Sequence, residues 1–290
     1  ENHNIMAGRL WWQLSFPNHA YGRSKKGSVN SINAITQQDM KQFVKRTFTK
    51  DNITISIVGD ITPDEVGDAL DKIFVDLPES FSGTNVEEGI AENGGETVIV
   101  ERDIPQSVVI FGSIGIKRRD PDWYAATILF EILSGGFGSR LTEEIREKRG
   151  LTYGVSAYPL PLEKAGVIVG NVSTVNDRVA ESIQLIKDIW QNFGEKGPTP
   201  TEMQNAKDYI NGSFPLRFTN SKTIAGVLNA VQHFDLGIEY LENRSKLIDQ
   251  VSLRDLRRVA KRLFDSKALT FAVVGKPTNL DPTMRAPAYE

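Results

Sequence analysis

The 290-residue chain contains no cysteine, which excludes disulfides, thiolate nucleophiles and Cys-ligated zinc. Histidine is scarce as well. His3, His19 and His233 form neither HxxEH nor HxxxH, so no helical face presents two imidazoles to one zinc ion. No apolar run approaches the roughly 18 residues that a membrane helix needs, and Glu1-Asn2-His3-Asn4 carries no signal-peptide pattern, so a soluble chain without a membrane span is expected. Charge of one sign is not concentrated anywhere. Lys+Arg number 34 against 37 Asp+Glu, a net of -3, and no basic block offers a phosphate-tracking surface, which excludes nucleic acid as an expected partner. There is no GxSxG and no P-loop, and Gly136-Phe137-Gly138-Ser139-Arg140-Leu141 lacks the third glycine of a dinucleotide fingerprint. The missing cysteines do not choose a compartment.

What is present is a core-forming share of hydrophobic residues, 40%, and an internal repeat. The segment from Ala34 to Asp60 aligns without a gap on the segment from Gln250 to Lys276. Asp39 matches Asp255, Lys45 matches Lys261, Arg46 matches Arg262, Phe48 matches Phe264, Thr54 matches Thr270 and Gly59 matches Gly275. Each copy opens on a capping hydroxyl, Thr36 or Ser252. A helix follows whose apolar positions recur at three and four: Met40, Phe43 and Val44, or Leu256, Val259 and Ala260. Each copy then predicts a strand. Residues 53–58 alternate in polarity, whereas 269–274 are apolar enough for burial on both faces.

Pro78 to Glu96 is polar, glycine-rich and acidic, and reads as a connector. The expected organisation is therefore a partial first domain over 1–77, a linker over 78–95 and a complete second domain over 96–290. In the second domain strands are expected at Thr97–Glu101, Ser107–Ile116, Tyr153–Tyr158 and Val167–Val172. Helices are expected from Pro121 with Asp120 as cap, over Ser139–Arg149, and from Asp177, Thr201, Ser221 and Ser252. The order predicts an α+β fold, helices packed on one face of a mainly antiparallel sheet.

The stretch richest in chemistry is Gly135 to Pro159. A glycine-rich loop leads into a charged helix, Gly150 ends it, and Tyr153 follows across the turn from Arg146. A guanidinium and a phenol are both strong donors that suit a carbonyl or an oxyanion without a metal. The residues alone also fit, and favour, a structural role: Arg146 on its helix C-terminus and Tyr153 as a half-buried strand aromatic.

The order glycine turn, Ser139-Arg140-Leu141, acidic helix, Arg146-Glu147-Lys148-Arg149-Gly150-Leu151-Thr152-Tyr153 and alternating strand resembles the second-domain motif of M16 (pitrilysin or insulinase-like) zinc metallopeptidases. Asn18-His19-Ala20-Tyr21-Gly22-Arg23 with Gly27, the run to Val58-Gly59-Asp60, and Ser213-Phe214-Pro215-Leu216-Arg217 resemble further family segments. Ala20 stands where proline is commoner, and His19 resembles a motif histidine of structural type. The resemblance implies M16-type αβ domains of the α+β class, one partial and one complete copy, and peptide hydrolysis, with Arg146 and Tyr153 binding the substrate carbonyl near the scissile bond. With it, a bacterial periplasmic location is expected ahead of a cytoplasmic one. It implies zinc in the assembled peptidase but not on this chain, since the HxxEH ligands belong to another M16 domain or subunit. That zinc-bearing half and peptide substrates are the implied partners, and the chain alone is expected to be inactive. The likeness is greatest to the partner subunit of bacterial two-chain M16 peptidases. The alternatives are a non-catalytic scaffold resembling the core proteins of the bc1 complex, and a peptide-binding module without catalysis.

Overall fold

The computed structural model describes residues 2–92 and 94–287. In chain order its helices are α1 (His3–Ser15), α2 (Val29–Ala34), α3 (Gln37–Thr47), α4 (Pro63–Phe74), α5 (Trp123–Ser134), α6 (Val179–Lys196), α7 (Pro200–Ser213), α8 (Ser221–His233), α9 (Tyr240–Asp249) and α10 (Leu253–Leu263). The strands are β1 (Thr97–Glu101), β2 (Gln106–Ile114), β3 (Val155–Pro161), β4 (Gly166–Val175) and β5 (Thr270–Gly275). They form two compact units. A sheet unit gathers the residues up to Lys25, Glu88–Gly212 and those from Asn243 onward, and a helical unit gathers Lys26–Glu87 with Ser213–Glu242.

The sheet unit is built on one mixed sheet of order β1-β5-β2-β4-β3, in which only the β1–β5 pair is parallel. β5 lies inside the sheet and is buried along its whole length, which is why its sequence is a continuous apolar run. Phe271 and Val273 join the core under α5, α6 and α10, where the Trp190 ring packs against Phe111, Phe130 and Phe264. Ala272 and Val274 serve the opposite face with Leu10, Trp11, Met6 and Ala7 of α1. The α+β class and the mainly antiparallel sheet are as expected. Helical cover on both faces is not, and α1 supplies the difference: its apolar residues recur at four, Met6 with Leu10 and Ala7 with Trp11, so one stripe of it can be buried.

Other departures have local causes. α5 begins at Trp123, not at Pro121, because Asp120 caps a turn by accepting from the Asp122 amide, and the Asp122 carboxylate is taken up by Arg258 and Arg262 of α10. Hydrogen bonds from the Arg258 guanidinium and then from Arg262, with the charge of both, hold the Asp122 carboxyl below the usual range against the effect of its burial. α9, unread in the sequence, packs Ile248 into the core. The connector is tied down at both ends. Lys50 and Asp51 amides donate to Pro78 and Glu79 carbonyls, while Gly89 and Glu92 amides donate to Lys164 and Ser15 carbonyls.

The repeat survives in three dimensions up to its strand. α3 and α10 start and end at matching positions, each opens on a reciprocal capping box, Thr36 with Asp39 and Ser252 with Asp255, and each is followed by a 3-10 turn, Lys50–Asn52 or Ser266–Ala268. The expected strand over 53–58 does not form. β5 exists because β1 and β2 flank it, and among the described residues nothing flanks 53–58 in that way. Instead the Gln232 side chain of α8 donates to the Ile55 carbonyl and the Ser56 hydroxyl. The helix shares that fate. Leu256, Val259 and Phe264 are buried, whereas their counterparts Met40, Phe43 and Phe48 are exposed.

Candidate functional site at the end of a π-helix

The segment expected as an α-helix over Ser139–Arg149 is wound as a π-helix over Thr142–Glu147, with the Lys148 amide bonded to the Glu143 carbonyl, 2.9 Å. π-turns are rare and are frequently found at functional sites. Arg146 lies in its last turn. Gly150 then takes φ +59, and its amide reaches the Arg146 carbonyl at 2.9 Å while the Leu151 amide reaches Ile145 at 3.0 Å. This is a glycine cap of Schellman type with both bonds one residue wider than usual. A Cβ at Gly150 would meet nothing, so the glycine serves the left-handed backbone and not a lack of space. Gly150→Ala is accordingly expected to lower stability by about 1 kcal/mol, with Gly150→Asn costing less, as thermal unfolding of the two variants would show.

Beyond the cap, Thr152 is buried and fastens the chain to β4: its hydroxyl bonds the Ser173 and Gly154 carbonyls, and the Thr174 hydroxyl donates to Leu151. β3 starts only at Val155, so Tyr153 sits in the bend before the strand and not on it. The half-buried strand aromatic is not what forms. Tyr153 is 90% exposed, and its hydroxyl has no partner among the described residues. Arg146 is also accessible, its guanidinium 5.2 Å over the Phe137 ring and its Nε 3.5 Å from Glu147, with no further carboxylate engaged among the described residues. Both side chains therefore stand at one rigidly tied helix–strand junction. Neither is buried.

Arg140, at the other end of the π-helix, has the opposite character. It makes a two-pronged bond to Glu202, 2.7 and 2.9 Å, donates to the Gly197 carbonyl and lies 4.5 Å over Phe193. Burial acts to raise the Glu202 carboxyl, but Arg140 and the Thr199 amide and hydroxyl outweigh it and hold it at about 2. Because the folded value is depressed, the stabilisation is present above the ordinary range near 4.5 and is lost as pH falls towards about 2. Glu202→Gln should thus be less stable than the parent at pH 7 by about 1 to 2 kcal/mol, and the gap should close on acidification; denaturant melts at pH 7, 5, 4 and 3 measure it.

No group of three or more His, Cys, Asp or Glu side chains among the described residues is placed to hold a metal. His19 is a structural cap, its Nδ1 accepting from the Tyr21 amide, and its ring packs against Phe16 and Tyr21. The residues present do not fit a zinc centre. Nor is any helix among the described residues long and apolar enough to cross a membrane.

The family described as the peptidase M16 inactive domain matches residues 34–210, more than half of the chain. The chain belongs to that family. Among M16 relatives, a non-peptidase homolog YmxG from Helicobacter pylori is 31% identical over 268 residues, covering 90% of this chain and 61% of its own length. A protein of Mycobacterium leprae named as an uncharacterized zinc protease is 24% identical over 272 residues, covering 90% of this chain and 59% of its own length. The crystal structure of a peptidase M16 inactive domain from Pseudomonas fluorescens superimposes with a TM-score of 0.86 at 26% identity, over 96% of this chain and 66% of that one. The chain thus spans about three fifths of the length of these curated M16 relatives.

Proposed function

We propose that the chain supplies the peptide-gripping surface of an M16 zinc endopeptidase whose metal and general base reside on another M16 domain. The observation that carries this reading is the pair Arg146 and Tyr153, two accessible donors held at a glycine-capped junction, Tyr153 90% exposed and Arg146 with its Nε 3.5 Å from Glu147. Arg146 would bind a peptide carbonyl through its planar fork, and Tyr153 would add a hydroxyl donor to the same oxygen as negative charge develops there. The two donors need no metal of their own to bind the ground state. The zinc-bearing half is most simply a partner subunit carrying HxxEH, with a further segment of the same polypeptide as the other source.

The exposed face of Met40, Phe43, Val44 and Phe48 supports a related reading of the domains. Its repeat counterpart is covered by α5 and α6, so a segment that covers it is proposed to complete the helical unit. A second functional reading, a non-catalytic M16 scaffold, is favoured by the name of the Helicobacter relative. Binding of a fluorescein-labelled unstructured decapeptide to the chain in EDTA, followed by anisotropy, separates the two. Saturable binding that Arg146→Ala weakens supports the gripping surface, and no binding at all supports the scaffold.

A further inference from the structure

Phe137 projects at the tip of the glycine loop and is 85% exposed. The loop is shaped for this. The Ser139 amide bonds the Gly136 carbonyl at 3.1 Å, closing a turn with Phe137 at its second position and Gly138, φ +82, at its third, where a type II turn demands positive φ. Gly136 has φ +133, and a Cβ on either glycine would meet nothing within 4 Å, so both glycines serve the backbone conformation that presents the ring. The turn is anchored behind Phe137, where buried Ser139 donates to the Thr142 hydroxyl at the start of the π-helix, 3.0 Å.

The interaction that the structure gives this ring is the Arg146 guanidinium, whose Cζ lies 5.2 Å from its centroid. A long arginine side chain at a surface otherwise samples many rotamers, and the neighbouring Glu147, with 3.5 Å between Nε and Oε1, competes for its fork. Stacking on an aromatic face holds the guanidinium plane while leaving its N–H edges, which point sideways in that plane, available to an acceptor. We infer that Phe137 is a positioning residue for the substrate site: its ring holds the Arg146 guanidinium with the donor edge turned outward, ready for a peptide carbonyl. The inference rests on the proposed gripping role of Arg146 and Tyr153.

The test is binding of the same fluorescein-labelled decapeptide to the full chain, with Phe137→Ala, Phe137→Tyr, Arg146→Ala and the double Ala variant compared. Phe137→Ala is expected to raise Kd about threefold to fivefold, Phe137→Tyr to restore it, and Phe137→Ala to add nothing once Arg146 is Ala. Circular dichroism melts unchanged by Phe137→Ala separate positioning from folding, since so exposed a ring contributes little to stability. If Arg146→Ala weakens binding while Phe137→Ala does not, or if the two losses multiply in the double variant, Phe137 does not act through Arg146 and the inference falls alone. If neither Ala variant changes binding, the gripping role itself is wrong and takes the inference with it.

Discussion

Arg146→Lys and Tyr153→Phe are each expected to lower kcat/KM of the assembled peptidase at least about tenfold, equivalent to about 1.4 kcal/mol of transition-state stabilisation. Lysine keeps the charge of Arg146 but loses the planar fork and the flat surface that stacks on Phe137. Phenylalanine removes one hydroxyl from a residue that is almost wholly exposed, so packing is untouched and the melting temperature should stay at the parent value. The size of the effect follows from the proposed assembly: in a site closed off from water one well-aimed donor is worth far more than at an open surface. If the two side chains hold one oxygen together, the double variant should be less damaged than the product of the singles. Steady-state kinetics on a quenched fluorogenic peptide, beside thermal melts, provides the check. Full activity with lowered melting temperatures would mean that these residues tie a helix end to a strand and do nothing else.

Phe264→Ala should cost about 3 to 5 kcal/mol, and the matching change in the first copy, Phe48→Ala, less than about 1 kcal/mol. The two phenylalanines occupy the same repeat position. Phe264 is 3% exposed and packs against Trp190, Phe130 and Phe193, so its removal leaves a cavity that rigid aromatic neighbours cannot fill. Phe48 is 54% exposed and, among the aromatic rings of the described residues, meets only the edge of Phe43. Urea melts of the chain would measure the contrast. In a longer polypeptide that completes the helical unit, the cost of Phe48→Ala should rise towards that of Phe264→Ala, and a cost that stays small there would count against the proposed covering segment.

How much of this was legible in the residues depends on where each element finds its bonds. The capping boxes of α3 and α10 are local, so Thr36 with Asp39 and Ser252 with Asp255 could be read directly. β5 announced itself as an apolar run because both of its faces are buried. The run over 53–58 alternates as a half-buried strand should yet forms none, because a strand needs flanking strands and not merely a pattern. α1 escaped notice because its value lies in a sheet face more than eighty residues away in sequence. At the site, the order of Arg146, Gly150 and Tyr153 was plain, but the π-winding and the exposure of Tyr153 were not. The bend that exposes Tyr153 is fastened by the bonds of Thr152 and Leu151 to β4, which is tertiary information.

The central claim is that this chain grips peptide for a zinc held elsewhere. Its most direct test is a titration of the purified chain into a fixed amount of the HxxEH-bearing M16 subunit from the same genome, with peptide hydrolysis and zinc content followed together. The account predicts that hydrolysis rises with added chain, saturates at equal molar amounts, and is abolished by EDTA, with the zinc recovered only from the partner. A partner that is fully active alone, or one tightly held zinc on this chain, would contradict it.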